Sequence, residues 1–65
     1  MEVQKRLAAY MRDHGIKQQF VAKETGIAQS KLSYILNGQL MLKADDLERI
    51  LKVLNLDPNE VIKIK

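Results

Sequence analysis

Glycine ends each of the first three apolar segments of this 65-residue chain, and this spacing limits what the chain can fold into. Glycine tolerates the left-handed conformation that terminates helices. Within each segment the apolar side chains recur at helical spacing, as Val3, Leu7 and Met11 do in the first. The sequence therefore predicts short helices separated by tight turns. The segments are 2–13, 17–25 and 28–37, and the glycines after them are Gly15, Gly26 and Gly38.

Two more segments follow the third glycine. Residues 44–54 carry apolar side chains on one helical face, with Asp45 and Asp46 in the first turn, where the helix dipole favours negative charge. The sequence Asp-Pro-Asn-Glu at 57–60 suits the start of a fifth helix. The weak alternation in 61–65 fits a terminal strand, a frayed helix end or a dimer contact. We predict an all-α fold, a compact five-helix bundle.

Length and composition exclude several classes of protein. A chain of this length provides one hydrophobic core, so residues 1–65 are expected to form a single domain. The absence of cysteine excludes disulfides, thiolate zinc sites and thiol catalysis. The single histidine, His14, is expected in a turn and cannot supply a histidine metal cluster. With no nucleophile–base pair and no phosphate-binding loop in the sequence, we expect no enzymatic activity, cofactor, metal or small-molecule substrate.

The net charge of +3 is unevenly distributed. Residues 1–38 carry six basic and three acidic side chains, whereas residues 39–62 carry three basic and five acidic ones. This asymmetry favours an anionic partner on one face, although charge alone supports nucleic acid and an ordinary charged surface equally. No apolar run approaches the ~18 residues that a membrane span needs, and the N-terminus lacks the apolar core of a signal peptide. We expect a cytoplasmic protein without membrane contact.

Residues 18–37 have the spacing of a helix-turn-helix. Two helices that cross steeply need a small residue where their backbones approach, and Ala22 fits this requirement. The tight turn between them needs a residue that accepts positive φ, and Gly26 fits. The apolar wedge that would lock the two helices together comprises Val21, Ile27, Leu32 and Ile35.

One stretch resembles the Cro and phage-repressor helix-turn-helix domains of the XRE family: residues 16–38, IKQQFVAKETGIAQSKLSYILNG. The apolar positions that follow continue the family spacing without a gap. The resemblance implies a lambda-repressor-like DNA-binding domain, of prokaryotic or phage type, that binds operator DNA as a dimer. Two features depart from the family. The loop at 39–42 is apolar where the family is often basic, and the positions that often carry serine or threonine caps are Lys17, Ala28 and Lys43.

The third segment corresponds to the recognition helix of that family. The resemblance implies that residues at its start and one turn later read base edges, namely Gln29, Ser30 and Tyr34, with Ser33 beside them. A glutamine amide can pair bidentately with adenine, a serine hydroxyl can donate or accept, and a tyrosine ring can contact a thymine methyl. The alternative interpretation is that these are ordinary polar surface residues.

Phosphate contacts are expected on either side of the base-reading residues. Gln18 begins the second helix, where free backbone N–H groups can hold a phosphate. Tyr10 and Phe20 are expected in the core or at its edge and not against bases. The predicted phosphate-contacting residues are Lys17, Gln18, Lys31, Asn37, Gln39 and Lys43.

The leading hypothesis is a small dimeric repressor that reads a pseudo-palindromic operator through the major groove, because one recognition helix offers too few base contacts. Its dimer interface would comprise Leu56, Val61, Ile62 and Ile64, unless these residues close the core of the monomer. The alternative is a protein-interaction module on the same fold: an antirepressor, an antitoxin-like partner or a coactivator. That module would dock its partner on Leu40, Met41 and Leu42.

Overall fold

Four helices form the described part of the chain. The computed structural model describes residues 2–57 and residue 59, and within them it contains no strand. The predicted all-α class is therefore confirmed there, with four helices where five were predicted. The fifth, from Asp57 onward, falls almost wholly outside the described residues. The helices are α1 (Glu2–Asp13), α2 (Gln18–Thr25), α3 (Gln29–Leu36) and α4 (Ala44–Leu54).

The helix starts confirm that the usual side-chain caps are missing. Lys17, Ala28 and Lys43 occupy the cap positions of α2, α3 and α4, and none makes a side-chain capping hydrogen bond. Lys17 and Ala28 have non-helical backbones, with ψ of 143° and 139°, so α2 and α3 each begin one residue later than predicted. Each missing cap typically costs about 1 kcal/mol, so packing must supply the stability of these helices.

One apolar core joins all four helices. Helix α2 packs against both α3 and α4, while α1 packs against α3. Burial of this apolar surface is the main favourable term in folding a domain of this size. The largest fully buried side chains, contributed by every helix, are Leu7, Val21, Leu32, Ile35 and Ile50.

The turn between α2 and α3 has the geometry that the sequence predicts. Gly26 has φ of +79°, and its N–H donates to the carbonyl of Ala22 at 2.9 Å. The Thr25 hydroxyl donates to the carbonyl of Val21 at 2.7 Å and accepts the N–H of Ile27 at 3.2 Å. Ala22 is buried, as expected of the small residue at the crossing. Thr25 thus ties the end of α2 to the turn that sets the direction of α3.

The loop between α3 and α4 is anchored from α1. Gln4 is buried, and its side-chain amide donates to the carbonyl of Leu40 at 2.7 Å. Leu42 is also buried and belongs to the core, whereas Leu40 and Met41 are exposed. The prediction that all three of Leu40, Met41 and Leu42 face a partner is therefore wrong for Leu42. The side chain of Leu42 closes the core beneath the loop.

Candidate nucleic-acid interface

Helix α3 presents a polar face on the side opposite its buried residues. Leu32, Ile35 and Leu36 point into the core. The four predicted base-reading residues divide into three exposed ones and one that is half-buried. Gln29 and Ser30 are exposed in the first turn, Tyr34 is 54% exposed one turn later, and Ser33 is half-buried. Ser30, Ser33 and Tyr34 share one helical face because they lie at i, i+3 and i+4.

The N-termini of α2 and α3 are suited to an anion. Neither helix has an acidic residue in its first turn, and neither has a side-chain cap, so the first N–H groups keep their partial positive charge. Lys17 is exposed directly before α2, and Gln18 is half-buried as its first residue. By contrast, α4 has two acidic residues in its first turn. The helix dipoles therefore favour phosphates at α2 and α3 over α4.

Three further predicted phosphate-contacting residues are exposed after α3. Asn37 lies at the C-terminal cap of α3, Gln39 lies in the loop after Gly38, and Lys43 lies at the N-terminal cap of α4. The backbone N–H of Gln39 already donates to the carbonyl of Tyr34 at 2.9 Å. Any contact that Gln39 makes to a phosphate must therefore use its side-chain amide.

Lys31 differs from the other predicted phosphate-contacting residues because it has an anionic partner within the chain. Its Nζ lies 3.6 Å from Oδ2 of Asp46, in the first turn of α4. The Asp46 side chain is only 10% exposed, whereas that of Lys31 is 47% exposed. The charge of Lys31 is thus offset locally, although the lysine remains at the surface.

The two aromatic residues named as core or core-edge residues differ in position. Tyr10 is partly buried against the core, and its ring stacks on that of His14 with centroids 4.0 Å apart. His14 lies in the turn after α1, as predicted, with Nδ1 2.9 Å from the carbonyl oxygen of Tyr10. Phe20 is half-exposed and lies only at the core edge, in a surface groove that it shares with Val53 and Leu54.

Gln4 and Asp46 support the candidate interface, and sequence reasoning missed the part that each plays. Both are buried polar residues. Gln4 fixes the loop after α3, and Asp46 holds a lysine of α3. The sequence carries a signal for the burial of both residues, because Gln4 lies three residues before Leu7 on α1 and Asp46 lies four residues before Ile50 on α4. The partner that each contacts lies on another element, so local sequence does not identify it.

A match to a family model identifies the protein family to which this arrangement of helices belongs. The model of the Cro/C1-type helix-turn-helix DNA-binding domain matches residues 6–65, which is nearly the whole chain. The chain belongs to the Cro/C1-type helix-turn-helix DNA-binding domains. Comparison with curated proteins and with solved structures finds no significant match.

Two observations on this Cro/C1-type domain concern the predicted dimer interface and membrane spans. Leu56, the first residue of the predicted dimer interface, is half-buried and packs against the core. The other three, Val61, Ile62 and Ile64, lie outside the described residues. None of the described helices is long and apolar enough to cross a membrane.

Proposed function

We propose that this domain is a transcriptional regulator whose helix α3 reads base edges in the major groove of operator DNA. The observation that carries the proposal is the exposure of Gln29, Ser30 and Tyr34 on α3, with Ser30 and Tyr34 on the face opposite the core and Gln29 on its flank. These side chains can hydrogen-bond to base edges or contact a thymine methyl. The uncapped N-termini of α2 and α3, with Lys17 beside the first, supply phosphate contacts on either side.

Reading a long site requires two copies of the domain. A single recognition helix contacts only a few base pairs, whereas two helices related by a dyad and ~34 Å apart read both halves of a pseudo-palindrome. An open groove of about 830 Å³ runs beside α4, with Leu47, Leu51 and Leu56 on its apolar side. We place a second copy of the chain in this groove.

The charges around the groove support a second copy as its occupant. Glu48 and Lys52 both line it. In a two-fold interface the same patch meets itself, so Glu48 of one protomer can face the partner's Lys52 and the reverse. Such a dimer would act as a repressor, because occupying the operator is enough to exclude competing proteins and needs no contact beyond DNA and the second copy.

The test is selection of bound sequences from a pool of random duplex DNA by the purified chain. We expect a pseudo-palindromic motif and an affinity that falls steeply with salt. Gln29→Ala should relax the preference at one position in each half-site, at a cost of about 1–3 kcal/mol in discrimination. Gln19→Ala, an exposed glutamine of α2, is the matched control and should leave the motif unchanged. A Gln29→Ala variant with an unchanged motif would contradict base reading by α3.

The second candidate function is a protein-interaction module, and the loop after α3 is the observation that favours it. Met41 is 73% exposed and Leu40 is 40% exposed in a loop that carries no basic residue before Lys43. Exposed apolar side chains of this kind are typical of protein contacts. Selection that enriches no motif, with binding lost at physiological salt, would favour this function over DNA reading.

A further inference from the structure

We propose that Asp46 lowers the non-specific affinity of the domain for DNA by holding Lys31 away from the phosphates. This inference rests on the proposed DNA-reading function and identifies a residue that tunes it. The lysine is the third residue of α3, directly after Gln29 and Ser30, and the aspartate is the third residue of α4. The link therefore joins the proposed recognition helix to the body of the domain.

The two partners of this ion pair differ in freedom. The Asp46 side chain is 10% exposed, so packing fixes its carboxylate, whereas the lysine is 47% exposed on a flexible stem. The distance of 3.6 Å between Nζ and Oδ2 is within ion-pair range. The fixed carboxylate therefore keeps the mobile ammonium group of Lys31 near Asp46.

The start of α4 does not by itself account for the buried aspartate. Asp45, its exposed neighbour, lies in the same first turn and provides the favourable interaction with the helix dipole. No side-chain capping hydrogen bond is made at Lys43, the cap residue of α4. Burying a carboxylate costs free energy unless a cation or hydrogen bonds compensate for it. Lys31 is the cation that the structure places beside it.

The pair affects DNA binding through counterion release. Each cation that neutralises a phosphate steepens the dependence of log K on log salt by about 0.9. A lysine already neutralised by Asp46 contributes little to this term, because a phosphate would have to displace the carboxylate. Contacts of this kind are independent of sequence, so withholding one lowers binding to random DNA while leaving base contacts intact.

The experiment compares Asp46→Asn with Asp45→Asn in the full chain, on random duplex DNA across a salt series. Both variants remove one negative charge from the same turn, but only the first releases Lys31. For Asp46→Asn we expect the slope of log K against log salt to be steeper than that of wild type by about 0.9. Lowering salt from 200 to 50 mM should then raise the affinity of this variant about 3.5-fold more than it raises the affinity of wild type. For Asp45→Asn the slope should stay near that of wild type.

Lys31→Gln provides a second test if Asp46→Asn fails to fold, because position 31 is exposed and the glutamine amide can still donate a hydrogen bond to the Asp46 carboxylate. We expect its slope to match that of wild type, and in the double variant it should abolish the increase caused by Asp46→Asn. A loss of about 0.9 from the wild-type slope in Lys31→Gln would overturn the inference, because the lysine would then already contact phosphate. Equal slopes for the two aspartate variants would overturn this inference and leave the proposed function standing. No binding by the wild-type chain at any salt would overturn the proposed function as well.

Discussion

At the scale of single residues, one glycine controls the helix-turn-helix. Gly26 has φ of +79°, and a Cβ added there would meet no atom within 4 Å. The cost of Gly26→Ala is therefore backbone strain alone, about 1–2 kcal/mol, partly offset by the lower entropy of the unfolded chain. We expect a loss of about 1 kcal/mol in the free energy of unfolding, measured in urea. Lys23→Ala, an exposed change on α2, is the control and should not destabilise. A Gly26→Ala variant as stable as wild type would contradict the assigned turn.

A second residue, Gln4, anchors the loop after α3. Replacing its amide with an apolar side chain of similar size, Gln4→Met, leaves the Leu40 carbonyl without its partner. We expect the free energy of unfolding to fall by about 1–3 kcal/mol, the usual cost of leaving a buried polar group without a hydrogen-bond partner. Lys5→Met, the exposed neighbour on α1, should change stability little. Similar urea midpoints for the two variants would show that the loop does not depend on Gln4.

At the scale of helices, α2 and α3 are too short to be stable by themselves. Each has eight residues, and isolated helices of fewer than about 12–15 residues are marginal in water. Both also lack side-chain caps. Packing of Val21 and Leu32, fully buried on facing helices, supplies what the local sequence does not. The helix-turn-helix is therefore stable only as part of the whole core.

Adding the missing cap to α3 should stabilise the domain. Ala28 already has the non-helical backbone of a cap residue, with φ of −58° and ψ of 139°. Ala28→Ser would let a hydroxyl accept a first-turn N–H, and we expect a gain of about 0.5–1 kcal/mol in thermal or urea unfolding. Ala44→Ser, at the first helical position of α4, offers no cap and should cost a few tenths of a kcal/mol. Equal effects at the two sites would refute the capping explanation.

Helix α4 ends without a glycine. Asn55 takes the left-handed conformation, with φ of 57°, and its N–H donates to the carbonyl of Lys52 at 3.1 Å. The N–H of Leu56 donates to the carbonyl of Leu51 at 2.9 Å, which completes the paired hydrogen bonds of a Schellman motif. This ending directs Leu56 back onto the core beside the groove where we place the second copy.

At the scale of the whole molecule, the dimer proposal fixes the spacing of the operator. Two α3 helices on one face of the duplex require half-sites about 10–10.5 base pairs apart, centre to centre, or a multiple of that spacing. Inserting about five base pairs between the half-sites of the selected site turns the second half-site to the opposite face. We expect binding to fall to that of a single half-site in gel-shift titration. A central substitution of unchanged length is the control, and an insertion without effect would contradict the paired dimer.

The sequence by itself determined the features that depend on neighbouring residues. The bounds of α1 and α4, the positive φ of Gly26 and the missing caps at Lys17, Ala28 and Lys43 were all predicted. Each follows from helical periodicity or from the backbone preference of one residue, which hold wherever the segment lies in the fold. Periodicity also placed Leu32, Ile35 and Leu36 on the buried side of α3, and the structure shows them buried there. The base-reading role of its exposed residues came from the resemblance and stays a prediction.

Only the tertiary structure decided which residues meet across the chain. Gln4 reaches a carbonyl 36 residues away, and Lys31 meets Asp46 on a different helix. The apolar loop residues looked alike in sequence, yet Leu42 enters the core while Met41 faces solvent. The reason is that periodicity defines a face of one element but not the angle at which another element crosses it. Burial and pairing between distant residues depend on that angle.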